Sequence, residues 1–566
     1  MKTLLLRAFE CSNKKLSLLG NGKTLVRLLN TLWLLANLTN YFRMKISLGR
    51  PSQVQKKKLF KILKKNQATE FGREYDFANI TTIEEFQRLV PINDYDDLRS
   101  RIDKIKDGED KVLTNDTVTH LMPSSGSSAA RKLIPYTDAL QKDFDIAIGA
   151  WIVDLYSNKP DLLKGVAYWS ISPQNTETEK SEVAIGYEQD TAYLGGWKQR
   201  LINNVMAVNS TVSEIQDLNS FRYVTLLELV RHRNLRLISI WHPSFLILLL
   251  SGLPKFWDTI IHDIGHGTIS APKSLSRNLL DQLKFEPDEK RKIELRKLDS
   301  LDWAAIWPDL AVISCWGAGH SKGSIEELSS YFPDVEVQPK GLISTEAFIS
   351  LPVANSGHGK RWIHPLAIQS NFFEFMDTMG KIHLAHELEV GREYEIIVTT
   401  SGGLYRYRMK DRVVVTGYLK KTPCIEFIGK IDSVSDYFGE KLSDEFVARQ
   451  IAEICQQNDL APTFSMLAPE EEGKSLFYCL YFETQQKLPV NFSSQLDKLL
   501  QENPHYALCR RLGQLGDARV FSISTSANRD YLLAKNNSDK KLGEIKPVKL
   551  SNLVGWSSEF SGSYVK

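Results

Sequence analysis

Apolar residues recur at helical spacing through the first hundred positions. Between Leu25 and Leu38 the polar side chains fall along one face of a helix, namely Arg27, Asn30, Thr31 and Asn37. This amphipathic pattern predicts a helix that packs against the body of the protein, and a role at a membrane surface is the less favoured alternative. The stretch from Lys56 to Leu98 is also helical in pattern, and Thr82 with Glu85 has the spacing of a capping box that opens a further helix.

The most apolar stretch of the chain runs from Leu237 to Leu253. It is 17 residues long and contains His242 and Pro243, so it is too short and too interrupted to cross a bilayer. We expect a buried strand over Leu235–Trp241, followed by a core helix that begins at Pro243.

Strand-like and helical patterns alternate through the middle of the chain. The candidate strands are Thr117–Met122, Ala311–Trp316, Val335–Gln338, Glu395–Thr400, Leu404–Met409, Arg412–Tyr418 and Cys424–Ile428. Helical stretches such as Asp138–Leu155 separate the earlier ones. This order predicts an α/β fold, with mixed β-sheets flanked by helices in a large N-terminal domain.

The pattern changes to a smaller unit after Gly429. Two helices, Asp444–Gln456 and Ser493–Gln501, accompany two strands, Ser475–Glu483 and Arg519–Ser524. We therefore expect a large domain over residues 1–428 and a small α+β domain over residues 429–566.

Composition narrows the class of protein further. The 566 residues are 42% hydrophobic and 25% charged, which favours a globular chain over a disordered one. A net charge of +3 is too small to predict a nucleic-acid partner, so small molecules are the expected ligands. The six cysteines form no C-x-x-C pair, which is typical of reduced thiols inside a cell. Charged residues interrupt the N-terminal apolar run, so we expect no signal peptide and no transmembrane segment. We expect a cytoplasmic protein that is a monomer or a weak dimer.

A serine-rich loop between two strand-like segments is the most informative stretch. Its residues are Ser124, Ser125, Gly126, Ser127, Ser128, Ala129, Ala130, Arg131 and Lys132. Backbone N–H groups and hydroxyls around a glycine can close on phosphate oxygens, and Lys132 adds positive charge. The spacing is not that of a Walker A loop, and on this stretch alone a serine-rich surface turn is an equal alternative.

A second candidate is the sequence Gly-Leu-Ile-Ser-Thr-Glu at residues 341–346. The hydroxyl of Thr345 can hydrogen-bond to a phosphate, and the carboxylate of Glu346 can hold Mg²⁺, which binds through carboxylates and substrate phosphates. By itself the pattern is more typical of a strand followed by a helix cap.

The third candidate stretch runs from Thr400 to Asp411. In a strand the alternation places the tyrosines on one face and the arginines on the other, namely Tyr405, Tyr407, Arg406 and Arg408. A carboxylate at Asp411, where the strand reaches a turn, can accept both hydroxyls of a ribose. An ordinary hairpin with solvated arginines is an equal alternative.

In this order and at these separations, the three stretches resemble a known family. The chain is similar to the adenylate-forming superfamily of acyl-CoA synthetases, adenylation domains and luciferases. It is more closely similar to the auxin-responsive Gretchen Hagen family of acyl acid amido synthetases and its bacterial relatives. The resemblance covers essentially the whole chain and includes Ile240–Leu246, Cys315–Gly319 and Tyr331–Gly341.

The resemblance implies a reaction in two steps. ATP and a small carboxylic acid give an acyl-adenylate and pyrophosphate, and the amine of an amino acid then displaces AMP to form an amide. Carried over by position, the phosphate loop consists of Ser124, Ser125, Gly126, Ser127, Ser128 and Lys132. Thr345 and Glu346 become the phosphate and Mg²⁺ contacts, and Asp411 becomes the ribose anchor, with Tyr407 and Arg408 beside it.

The resemblance also implies a mobile small domain. Residues 429–432, which include Lys430, resemble the hinge motif between the two domains. Lys546 stands where a late lysine reaches the acyl-phosphate oxygens, although a solvated surface lysine is the alternative for this position. We expect the small domain to rotate about the hinge between the two half-reactions.

Two departures from the family pattern bear on activity. Ala129 stands where relatives often have glycine, and Lys410 stands where the Tyr-Arg-x-Gly-Asp pattern has its glycine. If either position needs a positive φ, a side chain there costs roughly 1 kcal/mol. The departures keep open a non-catalytic nucleotide-binding regulatory protein. A separate alternative, with the same first step, is a ligase with coenzyme A as acceptor. The lining of an acyl pocket has no motif, so the pattern specifies neither the acid nor the amine.

Overall fold

The structure is a computed structural model with side chains. The residues it describes are 22–124, 132–170, 181–185, 205–300, 302–317, 322–355, 361–430, 434–435, 437–438, 440, 442–473, 475–511, 514–524, 526–536 and 548–565. Among them, no helix combines the length and the apolar character needed to cross a membrane.

Helices and strands alternate along the described chain. The helices are α1 (Gly22–Ser47), α2 (Pro51–Asn66), α3 (Glu70–Glu74), α4 (Ile83–Leu89), α5 (Tyr95–Lys106), α6 (Asp138–Asn158), α7 (Leu218–Arg231), α8 (Pro243–Leu250), α9 (Leu253–His266), α10 (Arg277–Gln282), α11 (Glu289–Leu295), α12 (Trp303–Ile306), α13 (Lys322–Tyr331), α14 (Asp444–Gln457), α15 (Phe492–Leu500), α16 (Pro504–Arg511) and α17 (Ala527–Asn536). The strands are β1 (Val118–Ser124), β2 (Lys132–Thr137), β3 (Val166–Trp169), β4 (Leu235–Ser239), β5 (Val312–Cys315), β6 (Glu336–Pro339), β7 (Val353–Ala354), β8 (Trp362–Ile363), β9 (Phe372–Met376), β10 (Ile382–Leu384), β11 (Glu393–Thr399), β12 (Tyr407–Leu419), β13 (Thr422–Lys430), β14 (Val434–Ser435), β15 (Leu442–Ser443), β16 (Phe464–Glu472), β17 (Ser475–Glu483), β18 (Arg519–Ile523) and β19 (Gly562–Tyr564). The α/β prediction is confirmed, and the predicted capping box of Thr82 and Glu85 opens α4.

Helix α1 packs against α6, as predicted, and two of the four polar residues of its pattern lie on the buried side. Asn30 and Asn37 are both only 1% exposed, and Asn30 Nδ2 donates to the carbonyl oxygens of Leu163 and Gly165 at 3.2 and 2.9 Å. Leu28, on the opposite side, is 49% exposed. Helix α1 carries apolar residues on all sides, so its polar positions do not identify the exposed face. An asparagine that donates to backbone carbonyls is stable inside a protein.

A parallel sheet in the order β3-β4-β5-β6 lies between two apolar cores. Leu237 and Val312 face the core built from the first helices and the antiparallel sheet, whereas Ile238 and Ile313 face a second core beneath α7 to α9. Burial on both faces explains the continuous apolar runs of these strands. Strand β4 ends at Ser239, two residues before the predicted end, and α8 begins at Pro243 as predicted.

An antiparallel sheet in the order β10-β9-β11-β12-β13 adjoins this unit. The sequence predicts two strands, Leu404–Met409 and Arg412–Tyr418, and this prediction is wrong. The structure has one strand, β12, because a bulge after Arg408 bends the chain without ending it.

The C-terminal residues form a mixed sheet in the order β16-β17-β18-β19. Alternate residues of β17, such as Tyr478 and Cys479, face two separate apolar cores, whose fully buried members all follow residue 441. The predicted helix at Asp444 and the predicted strand Ser475–Glu483 are both present.

Candidate active site

The serine-rich loop leaves the sheet at the tip of the β1–β2 hairpin. Ser124 pairs with Lys132 across its base, and residues 125–131, which include Ser125, Gly126, Ser127, Ser128 and Ala129, lie outside the described residues. The backbone N–H of Leu133 donates to the hydroxyl of Tyr95 at 2.9 Å, and Lys132 Nζ lies 5.9 Å from the centre of the Tyr95 ring. Tyr95 therefore holds the base of the candidate phosphate loop.

Tyr95 is the first residue of α5, and the loop before it is bound to the ribose-binding candidate strand. Asn93 N donates to the carbonyl of Arg406 at 3.0 Å, and Arg408 N donates back to the carbonyl of Asn93 at 2.9 Å. The Asn93 side chain donates to the carbonyl of Tyr405 at 2.8 Å. Two backbone segments more than 300 positions apart are thus joined at one asparagine.

The sequence around Thr345 and Glu346 forms a tight turn after β6 and not a helix cap. Ser344 N donates to the carbonyl of Ala347 at 3.0 Å, and Ala347 N donates to Ser344 Oγ at 3.2 Å. Gly341 is required here because a Cβ would lie 2.1 Å from the carbonyl oxygen of Ser350. Thr345 and Glu346 are half-buried at the tip of this turn.

The first part of β12 brings Tyr407 and Asp411 into the same region. Tyr407 is 2% exposed and Asp411 is 3% exposed, and Asp411 pairs with Lys430 on β13. Burial raises the pKa of Tyr407, and the negative charges of Glu346, Asp94 and Asp411 raise it further. Glu346 and Asp411, which are 65 positions apart, are therefore within electrostatic range of one phenol.

Lys410 adopts the left-handed conformation that the family glycine would favour. Its φ is +59°, and it lies within the bulge that places three residues of β12 opposite one residue of β11. The chain thus keeps the backbone shape of the glycine pattern with a lysine in place, at a cost of about 1 kcal/mol. The second departure, Ala129, lies outside the described residues.

The two arginines of the third stretch are not the solvated arginines of an ordinary hairpin, so that alternative is wrong. Arg406 is 5% exposed, and its guanidinium donates to both carboxylate oxygens of Glu374 at 3.0 Å. It also donates to the carbonyls of Gln87 and Val90. Arg408 donates to both oxygens of the buried Glu395, at 2.9 and 2.6 Å. Bidentate pairs of this kind fix the strand on which Tyr407 and Asp411 stand.

A lysine that sequence reasoning missed lies at the carboxyl ends of the parallel strands. Lys340 directly follows β6; its Nζ donates to Ser239 Oγ at 2.7 Å and lies 4.7 and 5.9 Å from the ring centres of Trp151 and Trp241. Burial lowers the pKa of Lys340 to about 7, and no carboxylate of the described residues counters that effect. Ligands of open α/β sheets bind at this edge. The predicted strand Val335–Gln338 could have drawn attention to Lys340, but nothing local predicts the two tryptophans.

The remaining predicted site residues are described in part or not at all. Only the backbone of Lys430 is described, at the end of β13, while Ile431, Asp432 and Lys546 lie outside the described residues. Among the described residues, no three His, Cys, Asp or Glu side chains cluster as a metal site. A single carboxylate such as Glu346 still fits Mg²⁺, because this ion takes one or two protein carboxylates and completes its shell with phosphates and water.

Comparison with known proteins gives consistent results. Residues 43–337 match the GH3 family N-terminal domain, and residues 364–430 match the GH3 family central domain. Indole-3-acetic acid-amido synthetase GH3.2 of Arabidopsis thaliana is 25% identical over 477 residues, which cover 77% of this chain and 82% of that protein. Jasmonoyl--L-amino acid synthetase JAR6 of Nicotiana attenuata is 22% identical over 413 residues, covering 66% of this chain and 68% of that protein.

A solved structure shows the same fold. The AtGH3.15 acyl acid amido synthetase in complex with 2,4-DB superposes with a TM-score of 0.78 at 19% identity, covering 90% of this chain and 94% of that chain.

Proposed function

Because the chain belongs to the GH3 family, we propose that it is an ATP-dependent acyl acid amido synthetase, which joins a small carboxylic acid to an amino acid. Relatives that align with most of the chain are named for this activity toward indole-3-acetic acid and jasmonic acid. The main support for the proposal is that all three sequence motifs contribute residues close to Tyr95 and Tyr407. The charged residues among them are Lys132, Glu346 and Asp411.

In the first step, a carboxylate oxygen of the acid attacks the α-phosphorus of ATP, and pyrophosphate leaves. The hairpin loop from Ser124 to Ser128 and Lys132 would hold the phosphates, Thr345 would donate a hydrogen bond to them, and Asp411 would accept from the ribose hydroxyls. Glu346 would hold Mg²⁺, which supplies positive charge as pyrophosphate departs. The protein contributes position and charge neutralisation, and the reaction needs no covalent intermediate with the enzyme.

In the second step, the amine nitrogen attacks the acyl carbon, AMP leaves and the nitrogen loses a proton. We propose that Lys340 attracts the carboxylate of the acid to the edge of the parallel sheet, where the exposed ring of Trp241 offers apolar surface. The cation is suited to this because no described carboxylate neutralises it.

We further propose that residues 1–428 and 429–566 are the two domains and that Lys430 lies at their hinge. The support is that β13 ends at Lys430 and that the C-terminal sheet encloses apolar cores of its own. Rotation about the hinge would bring Lys546 to the reacting phosphate in the first step and open a path for the amine in the second. We place the enzyme in the cytoplasm, where the five described cysteines, all of them thiols, stay reduced.

The test is acid-dependent release of pyrophosphate from ATP and Mg²⁺, with a panel of aromatic, fatty and jasmonate-like acids. Mass spectrometry of reactions that contain both amino acids and coenzyme A should show an amide, and a thioester alone would identify the thiol ligase instead. Asp411→Asn should abolish release, whereas Asp281→Ala, at an exposed position on α10, should not change it. Nucleotide binding without release across the panel would favour the regulatory alternative.

A further inference from the structure

Helix α1 presents an apolar stripe to solvent along its whole length. Leu28, Leu35, Phe42 and Ile46 are 49, 53, 58 and 66% exposed. At about 100° per residue, these four side chains fall within an arc of about 40°, so they form one continuous ridge. Surface residues of this size are normally scattered, and a contiguous stripe marks an interaction surface.

The stripe is a fixed feature of the fold. The opposite face of α1 is held by Asn30, which donates to two backbone carbonyls, and by Trp33, which is 2% exposed and packs against Tyr156 of α6. Rotating the helix to bury the leucines would expose Trp33 and break both hydrogen bonds. The stripe must therefore be covered, if at all, by something outside this core.

The part of the sequence that contains the stripe is rich in basic residues. The first 66 residues contain 15 lysines and arginines and one acidic residue, Glu10, whereas the other 500 contain 56 basic and 67 acidic residues. Arg27 and Arg43 are exposed on α1 beside the stripe. The exposed Lys420 and Lys421 are tied to the end of α1, because Lys420 Nζ donates to the carbonyl of Lys45 at 2.5 Å and Lys421 N donates to that of Leu48 at 3.0 Å.

We propose that α1 docks the protein on the surface of an anionic lipid bilayer, a role that goes beyond the proposed amide synthesis. The stripe would enter the boundary between headgroups and acyl chains, with the helix lying in the plane of the surface and its basic flanks on the headgroups. An apolar helix face and a basic patch together give stable binding where either alone is marginal.

Charge complementarity selects the lipid surface over the other occupants. A second copy of the chain would bring a second basic surface against the first, and like charges across an interface repel. An anionic bilayer presents negative headgroups to the basic residues and, directly beneath them, an apolar layer to the stripe.

Flotation of the full chain with vesicles tests the proposal. At an ionic strength of about 0.15 M, vesicles of phosphatidylcholine with about 30% phosphatidylserine should bind the protein, and vesicles of phosphatidylcholine alone should bind it at least about tenfold more weakly. The double variant Leu35→Gln/Phe42→Gln should lose binding about tenfold or more. Arg43→Gln/Lys421→Gln should lose it by a similar factor, since each basic residue near the surface contributes about fivefold.

Matched controls separate docking from general stickiness and from unfolding. Val390→Gln/Val490→Gln removes side chains that are 58 and 89% exposed elsewhere, and it should bind as the wild type does. Leu35→Ile/Phe42→Leu keeps the apolar stripe and should also bind, and all variants should keep the wild-type thermal transition. The proposal is overturned if the wild type does not bind anionic vesicles, if neutral vesicles bind equally well, or if the stripe variant binds undiminished. It is equally overturned if the stripe variant instead breaks a dimer seen by sedimentation, which would make a second copy the occupant.

Discussion

Removal of one hydroxyl, in the variant Tyr95→Phe, tests whether the hairpin base is held as the structure indicates. Tyr95 Oη accepts the N–H of Leu133 at 2.9 Å, and Leu133 is 6% exposed, so the variant leaves a buried donor without its partner. An unsatisfied buried donor costs about 1–3 kcal/mol. The ring under Lys132 is retained, so the change is confined to the hydrogen bond.

The same change should reach the chemistry, because the candidate phosphate loop ends at Lys132, the residue next to Leu133. Displacement of a positioning group by about 1 Å can cost about 100-fold in rate. We expect kcat/KM for ATP in pyrophosphate release to fall about 10- to 100-fold. Transfer from a pre-made acyl-adenylate should be nearly unchanged, because that step involves no β- or γ-phosphate.

Urea denaturation and initial rates at varied ATP measure the two effects separately. Tyr331→Phe is the control, since Tyr331 donates to Glu327 at 2.9 Å on an exposed helix face and its loss should change stability by less than about 0.5 kcal/mol. A Tyr95→Phe protein with wild-type stability would refute the anchoring role of the hydroxyl. Lower stability with unchanged kcat/KM for ATP would refute the link between this hydrogen bond and the phosphate loop.

Three further predictions concern lysines of the site. At Lys410, whose φ is +59°, the glycine variant should be more stable than the alanine variant by about 1 kcal/mol in urea denaturation, whereas at Thr416, which has no positive φ, the order should reverse. The KM for the acid should rise as the pH increases through about 7, because burial lowers the pKa of Lys340 to about 7 and the ammonium then loses its charge. Lys340→Met should raise this KM and flatten its pH profile, and a profile unchanged by the variant would remove Lys340 from the acid site. Lys546→Ala should slow adenylate formation far more than transfer from a pre-made acyl-adenylate, and equal losses in both assays would identify a structural residue.

The parts of the site that sequence predicts are those fixed by local chemistry. A loop of serines around glycine, a hydroxyl next to a carboxylate, and a carboxylate after paired tyrosines each carry a recognisable composition, and their order along the chain strengthens the interpretation. The alternation of strands and helices is equally local, so most of the predicted strands lie within two or three residues of the observed ones. Where a prediction failed, a contact from distant sequence decided the outcome.

Three features that the sequence pattern does not predict have clear physical causes. The interpretation of Arg406 and Arg408 as solvated side chains fails because their partners, Glu374 and Glu395, stand on neighbouring strands, and a charge pattern within one strand does not reveal them. The buried side of α1 is not predictable from its pattern, because Asn30 donates to backbone carbonyls more than 130 positions away and Asn37 donates to the carbonyl of Trp33 within the helix. Lys340 is not predicted as a site residue because its neighbours come from α6, from β4 and from the loop after β4.

The strain on both sides of Tyr407 indicates which half of the site is rigid. Arg406 and Lys410 have φ of +44° and +59°, and a residue in this region costs about 1–3 kcal/mol, which persists only where the surroundings determine it. The surroundings of Arg406 impose this conformation, because Glu374, two carbonyls of the α4 segment and Asn93 all bind it. The strand that carries Asp411, the group proposed to meet the ribose, is therefore fixed before ATP arrives. We therefore expect closure between the two half-reactions to involve the residues beyond β13, where the proposed hinge and Lys546 lie.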